Sequence, residues 1–198
     1  MQAIAPDGSA SGYSATGKGV TNFAQPALPA VTCVNGGITV SWAAVPNASR
    51  YTLYYKTGAG KWVKLKDITD TSYTWKSVKA NTKYAFSVQA VSDDGSISTY
   101  NATGKSVTYL AQPGKPTVKK ASSSSITVTW TKVTGASKYR IYYKTGTGAW
   151  KKLTDTTSTS YTWKSAKANT KYTFSVQAIA ADGSLSAYNT TGTSITFK

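Results

Sequence analysis

The chain has 198 residues, room for one large domain or two small ones, and its 40% apolar content can supply ordinary cores. Lys and Arg number 23 against 7 acidic residues, all of them Asp, giving a formal charge of +16, while His and Glu are absent. The commonest general bases, the best zinc ligands and every Ser-His-Asp or Cys-His pairing are thereby removed, so no enzyme, catalytic residue, metal or cofactor is expected.

The start, Met1-Gln2-Ala3-Ile4, has neither the basic nor the apolar region of a signal peptide. It opens instead on a broken repeat: Gln2-Ala3-Ile4-Ala5-Pro6-Asp7-Gly8-Ser9 parallels Gln177-Ala178-Ile179-Ala180-Ala181-Asp182-Gly183-Ser184, and the match runs on through Tyr13 with Tyr188 and Gly17 with Gly192. Residues 1–23 are expected to be the closing hairpin of a preceding repeat, and the chain a piece of a longer array. A lone hairpin is marginal in water, so this remnant is expected to be either mobile or docked on a sheet edge.

Two complete copies follow, 24–110 and 111–198. Shifted by 88 residues, Trp42–Tyr109 matches Trp130–Phe197 without a gap. Upstream, Ala24-Gln25-Pro26 matches Ala111-Gln112-Pro113 at a shift of 87, which places one extra residue near Ser122–Ser125. Each copy alternates with period two: Ile38, Val40 and Trp42; then Tyr51, Leu53 and Tyr55; then Tyr84, Phe86, Val88 and Ala90. Turn signals at Asn35-Gly36-Gly37, Pro46-Asn47, Gly58-Ala59-Gly60 and Asp93-Asp94-Gly95 cut the runs short. The pattern predicts an all-β chain of two tandem antiparallel seven-stranded β-sandwiches. The linker Ala111-Gln-Pro-Gly-Lys-Pro116 is expected to limit bending through its prolines.

Trp42 at the end of Ile38-Thr-Val-Ser-Trp42 resembles the core Trp on the second strand of fibronectin type III domains. Tyr51-x-Leu53-x-Tyr55 is similar to that family's third strand, and Thr71–Tyr84 to the segment that ends in its tyrosine corner. The resemblance implies that the Tyr84 and Tyr172 hydroxyls bond back to nearby backbone. Val78 and Ala166 replace the family's usual Leu before the corner, and Trp75 and Trp163 replace a core Leu; the larger and smaller volumes compensate. The wording of Gly114–Lys120 and Tyr139–Gly146 is similar to modules of large surface proteins of Gram-positive bacteria. That likeness implies an extracellular or cell-surface location and a non-catalytic role as adhesion unit or spacer.

Candidate binding residues lie outside the core rows. Trp62 and Trp150 follow a Gly-rich turn, and if exposed would offer platforms to a sugar ring or a protein; packing is the plain alternative. Tyr54 and Tyr142 point away from the core, beside Ser87-x-Gln89 and Ser175-x-Gln177, a face open to polysaccharide or to a host protein such as an immunoglobulin or matrix component, or else simply solvated. The excess of Lys could attract an anionic cell-wall polymer. Nucleic acid is not expected, because its readers lean on Arg forks and only Arg50 and Arg140 are present. Membrane insertion is not expected either, since no stretch approaches the roughly 20 apolar residues that span a bilayer.

Asp93-Asp94-Gly95 predicts a plain turn rather than a calcium site, and the three Asn-x-Ser/Thr triplets at Asn47, Asn101 and Asn189 fall in turns. Cys33 is the one cysteine, so no internal disulfide can form. Its counterpart is Lys120, and an unpaired Lys is not buried. Cys33 is therefore expected near the surface of the first strand; the chain itself is expected to be monomeric.

Overall fold

The computed structural model describes residue 2, residues 4–11 and residues 23–198. The described residues form strands and turns, with no helix among them. The first module has two antiparallel sheets. One runs β1 (Ala30–Val34), β2 (Gly37–Ser41), β5 (Ser72–Trp75); the other runs β4 (Val63–Ile68), β3 (Arg50–Thr57), β6 (Thr82–Val91), β7 (Lys105–Tyr109). The second module repeats the pair. Its three-stranded sheet is β8 (Thr117–Lys120), β9 (Ile126–Thr129), β12 (Ser160–Trp163). Its larger sheet joins β11 (Lys151–Thr156), β10 (Lys138–Thr145) and β13 (Thr170–Ile179) to β14 (Leu185–Tyr188) and β15 (Thr193–Phe197), which both pair with β13.

The period-two rows become the facing surfaces of the two sheets. Ile38, Val40, Leu53 and Phe86 in the first module, and Ile126, Val128, Ile141 and Phe174 in the second, have no solvent exposure. Trp42 and Trp130 are buried beside them, each edge-on to a tyrosine, Tyr51 or Tyr139. Trp75 and Trp163 are half-buried and cap the core rather than fill it. The register locates the extra residue of the second copy. Cys33 pairs with Ile38 whereas Lys120 pairs with Ile126, so the β8–β9 turn is one residue longer than the β1–β2 turn.

The arm after β6 or β13 differs from an even ladder. Ser98 and Ser186 hydroxyls accept from the amides of Ala90 and Ala178, both at 2.9 Å, so a side chain takes the place of a strand carbonyl. In the second module this arm is still regular enough to form β14, so that module counts eight strands; in the first it leaves a bridge, Val91 to Ile97. The same arm crosses the outer face of the sheet. Both faces of β6 and β13 are therefore covered: Ser87 and Ser175 have no exposure, and Gln89 and Gln177 are buried too.

The modules meet through several contacts. Leu110, which follows β7, has no exposure and belongs to the core of the second module. Thr108 of β7 donates its amide to the Ser184 hydroxyl at 2.9 Å and its own hydroxyl to Asp182 at 2.6 Å. Asn81 presses its amide side chain onto Gly135.

Cys33 departs from the sequence expectation: it is 8% exposed and part of the core. The inference from Lys120 failed because the two sites are not covered alike: the second module's β14 and its Asp182–Ser184 turn lie against β1, beside Cys33. Lys120 stays exposed on β8, its ammonium 5.0 Å from the Phe197 ring centroid and donating to the Lys198 carbonyl at 2.5 Å. The Cys33 thiol lies 3.9 Å from the Thr108 carbonyl oxygen, and burial pushes that thiol up to about 11.

The closing-hairpin expectation for residues 1–23 falls largely on residues outside the described ones. Within residues 4–11 the chain makes a tight turn closed by an Ile4–Ala10 bridge. Phe23 packs against the core of the first module.

Candidate functional site

Tyr54 faces outward from β3, and the β3–β6 register sets it opposite Ser87, with Thr52 opposite Gln89. Its hydroxyl donates to Gln89 Oε1 at 3.1 Å, and Gln89 Nε2 donates to the Ser98 carbonyl at 2.7 Å. Both ends of the glutamine amide are thus used internally, as a buried amide requires. Gln177 repeats this with Tyr142 at 3.1 Å and Ser186 at 2.6 Å. The two glutamines act as struts that fix the tyrosines, and leave the contact surface to the rings.

Those rings form a three-membered cluster. Tyr54 stacks on Tyr100 with centroids 5.2 Å apart and planes at 23°, and Trp62 stands edge-on to Tyr100 at 6.1 Å. The Trp62 indole donates to the Ala102 carbonyl at 3.2 Å, and the Lys56 ammonium lies 4.6 Å from the ring centroid. The second module repeats the cluster: Tyr142 on Tyr188 at 5.1 Å, Trp150 edge-on at 6.2 Å, Lys144 at 5.0 Å from the Trp150 ring. Trp62 and Trp150 precede the edge strands β4 and β11 and are half-buried, so each combines packing with a partly open face.

Tyr100 and Tyr188 sit at the centre of these clusters, yet neither was singled out from the sequence. Their signal was present: this tyrosine recurs in all three copies, as Tyr13, Tyr100 and Tyr188. The Asn that follows it in the complete copies closes the arm. Asn101 Oδ1 accepts from the amides of Thr103 and Gly104, both at 3.0 Å, and Asn189 does the same for Thr191 and Gly192 at 3.1 and 3.0 Å. The second cluster also borders a cleft of about 500 Å³ between the modules, where Cys33 and Asn35 face Gln177, Tyr188 and Asn189.

Beside each cluster stands one carboxylate. Asp155 accepts a two-pronged bond from Arg140 at 2.9 and 3.0 Å and a third from Lys152 at 3.0 Å. The Arg140 bonds outweigh desolvation and hold its carboxyl at about 2. Asp67 instead takes Lys64 at 2.7 Å and the Thr52 hydroxyl at 2.8 Å, and those bonds also lower its pKa. In the Asp93-Asp94-Gly95 turn, Asp94 closes the loop by accepting from the Ser92 hydroxyl and the Ser96 amide. No group of three or more metal-ligating side chains occurs among the described residues. Tyr84 and Tyr172 accept from the amides of Lys79 and Lys167 at 2.8 and 3.0 Å, tying the turn before β6 or β13 to the strand itself.

The arrangement offers aromatic faces, a tyrosine hydroxyl already engaged, and a lysine above an indole. Such a surface can stack on an apolar ring face or meet an anionic group.

Comparison with known proteins agrees with the architecture. The chain is 30% identical over 167 residues to exoglucanase B of Cellulomonas fimi, covering 77% of this chain and 14% of that protein. It is 34% identical over 133 residues to chitinase A1 of Niallia circulans, covering 61% of this chain and 18% of the enzyme. It is 28% identical over 171 residues to the mouse fibronectin type III domain-containing protein 7, covering 83% and 22% respectively. The chain therefore spans less than a quarter of each of these relatives. The family model for the fibronectin type III domain matches residues 27–103 and again 111–194, and the chain belongs to that family as a tandem of two such domains.

Proposed function

We propose that the chain is a non-catalytic, extracellular repeat segment of a bacterial surface protein, serving as a spacer or adhesion unit. The observation that carries this reading is the junction. Leu110 leaves one module and is buried in the core of the next, so the two modules are held together by more than a linker. The matches to bacterial exoglucanase and chitinase support a secreted setting in which such modules accompany catalytic domains. Small-angle scattering tests the spacer reading: an elongated particle with one dominant shape is expected, and a broad compact ensemble would overturn it.

A second reading, polysaccharide binding, is favoured by the cluster of Tyr54, Tyr100 and Trp62 and its copy at Tyr142, Tyr188 and Trp150. Rigid, amphipathic rings of this kind suit a sugar face or a protein hot spot. Glycan and host-protein arrays separate these ligands. Binding that survives Tyr100→Leu with Tyr188→Leu would exclude the clusters. Attachment to anionic wall polymers through the +16 charge predicts retention that falls steeply with salt.

A further inference from the structure

The contact of Thr108 with Asp182 and Ser184 uses residues that recur in every copy. Asp-Gly-Ser occurs at Asp7-Gly8-Ser9, Asp94-Gly95-Ser96 and Asp182-Gly183-Ser184. The three turns are built alike. The glycines have φ of 82°, 81° and 83°, which glycine alone adopts without strain. Each glycine amide donates three residues back, to Ala5, Ser92 or Ala180, at 2.9 to 3.1 Å. Each serine amide donates to the Asp Oδ1 at 2.8 to 2.9 Å.

The receiving side recurs as well. Val107-Thr108-Tyr109-Leu110-Ala111-Gln112-Pro113 is echoed by Val20-Thr21-Asn22-Phe23-Ala24-Gln25-Pro26, in which Thr21 enters by sequence alone. At the other end, Thr196 holds the same place on β15 as Thr108 on β7: Thr108 pairs with Lys83 and Thr196 with Lys171, the same position of the repeat. Thr108 is half-buried under the second module, whereas Thr196 is exposed.

The docked turn adds two bonds to the strand of the module before it. The Ser184 hydroxyl accepts from the Thr108 amide and the second Asp182 oxygen takes the Thr108 hydroxyl. β7 is an edge strand, and an outward amide on such an edge is a template for unwanted pairing. The serine hydroxyl caps it.

We infer that the Asp-Gly-Ser turn of each module is a docking key for the last strand of the module before it, and that Thr196 is a seat for the turn of a further module of the same repeat. The key repeats one junction along the array, so successive modules keep one mutual orientation. This builds on the spacer reading but is tested apart from it, because scattering reports extension whereas the seat is read at single amides.

The test has two arms. In the chain itself, residual dipolar couplings are expected to give one alignment tensor for both modules. Asp182→Ala with Ser184→Ala should split it into two of unequal magnitude, while the amide spectra of β9 and β13 show the second module still folded. In a chain where a second copy of residues 110–198 follows residue 197, exchange at the Thr196 amide should slow about tenfold, the effect of one net hydrogen bond. Substituting the Asp and Ser of the appended turn should reverse that slowing. One tensor in the double variant, or Thr196 exchange as fast as in the parent chain, would overturn the inference.

Discussion

The indole of Trp62 lies against Gly104 so closely that a Cβ on that glycine would sit 2.5 Å from Cη2 and 2.7 Å from the Phe86 carbonyl oxygen. Gly104 has a φ of 68°, in the left-handed region. Gly104→Ala therefore meets backbone strain and a steric clash together, and we expect the first module to lose about 3 kcal/mol. Urea unfolding measures it. Trp62→Phe in the same chain should return part of the loss, since it removes the side-chain clash and leaves the backbone strain. A double variant no more stable than Gly104→Ala alone would show that the ring is not the obstacle.

The two sandwiches were legible because period-two rows and an internal repeat are local signals. The aromatic cluster was half legible. Tyr54 and Trp62 announce themselves by parity and by position after a turn. Tyr100 joins them only because the arm after β6 folds back across the outer face, a long-range event with no local pattern. The same arm is why Ser87 and Gln89 are buried where alternation alone predicts an open face. Cys33 was misplaced for a different reason: Lys120 is exposed on β8, whereas β1 is covered by the neighbouring module, which comparison of the two copies does not reveal. The junction left its mark in the sequence as three Asp-Gly-Ser triplets, but nothing there states what they touch.

Tyr84 ties the turn at Lys79 to β6 through a 2.8 Å bond from the Lys79 amide. Tyr84→Phe keeps the ring contacts with Trp75 and Phe86 and deletes this bond. A loss of about 1 kcal/mol is expected in urea unfolding of the first module, and the same for Tyr172→Phe in the second. Amide exchange at Lys79 should quicken in the variant; unchanged exchange would assign the tyrosine a packing role alone.

Cys33 should be a slow thiol. Its pKa is raised to about 11, chiefly by burial, and the thiolate is the reactive form. In the folded chain, labelling by a disulfide reagent at neutral pH is expected to be far slower than in urea, and oxidation should leave the chain monomeric. Rapid labelling without denaturant would place the thiol on an open surface and contradict its burial.

Asp155 gives the second module an acid-sensitive contribution whose sign follows from its partners. Its carboxyl is held at about 2, below the ordinary 3.8, first by the Arg140 bonds and then by Lys152. A depressed carboxyl stabilises the folded state above its unfolded pKa, and that contribution fades as pH falls from about 3.8 towards 2. Arg140→Ala removes the two-pronged bond but leaves Lys152 at 3.0 Å, so the Asp155 carboxyl should rise part of the way to 3.8 in a carboxyl NMR titration. The pair is partly open to solvent, so the stability difference at neutral pH should be small, about 0.2–1 kcal/mol, and should vanish near pH 2. In the first module Thr52 stands where Arg140 stands in the second, each across from its Asp. Thr52→Arg should then lower the Asp67 carboxyl further, and an unmoved Asp67 titration would show that the fork seen at Arg140 does not transfer between the modules.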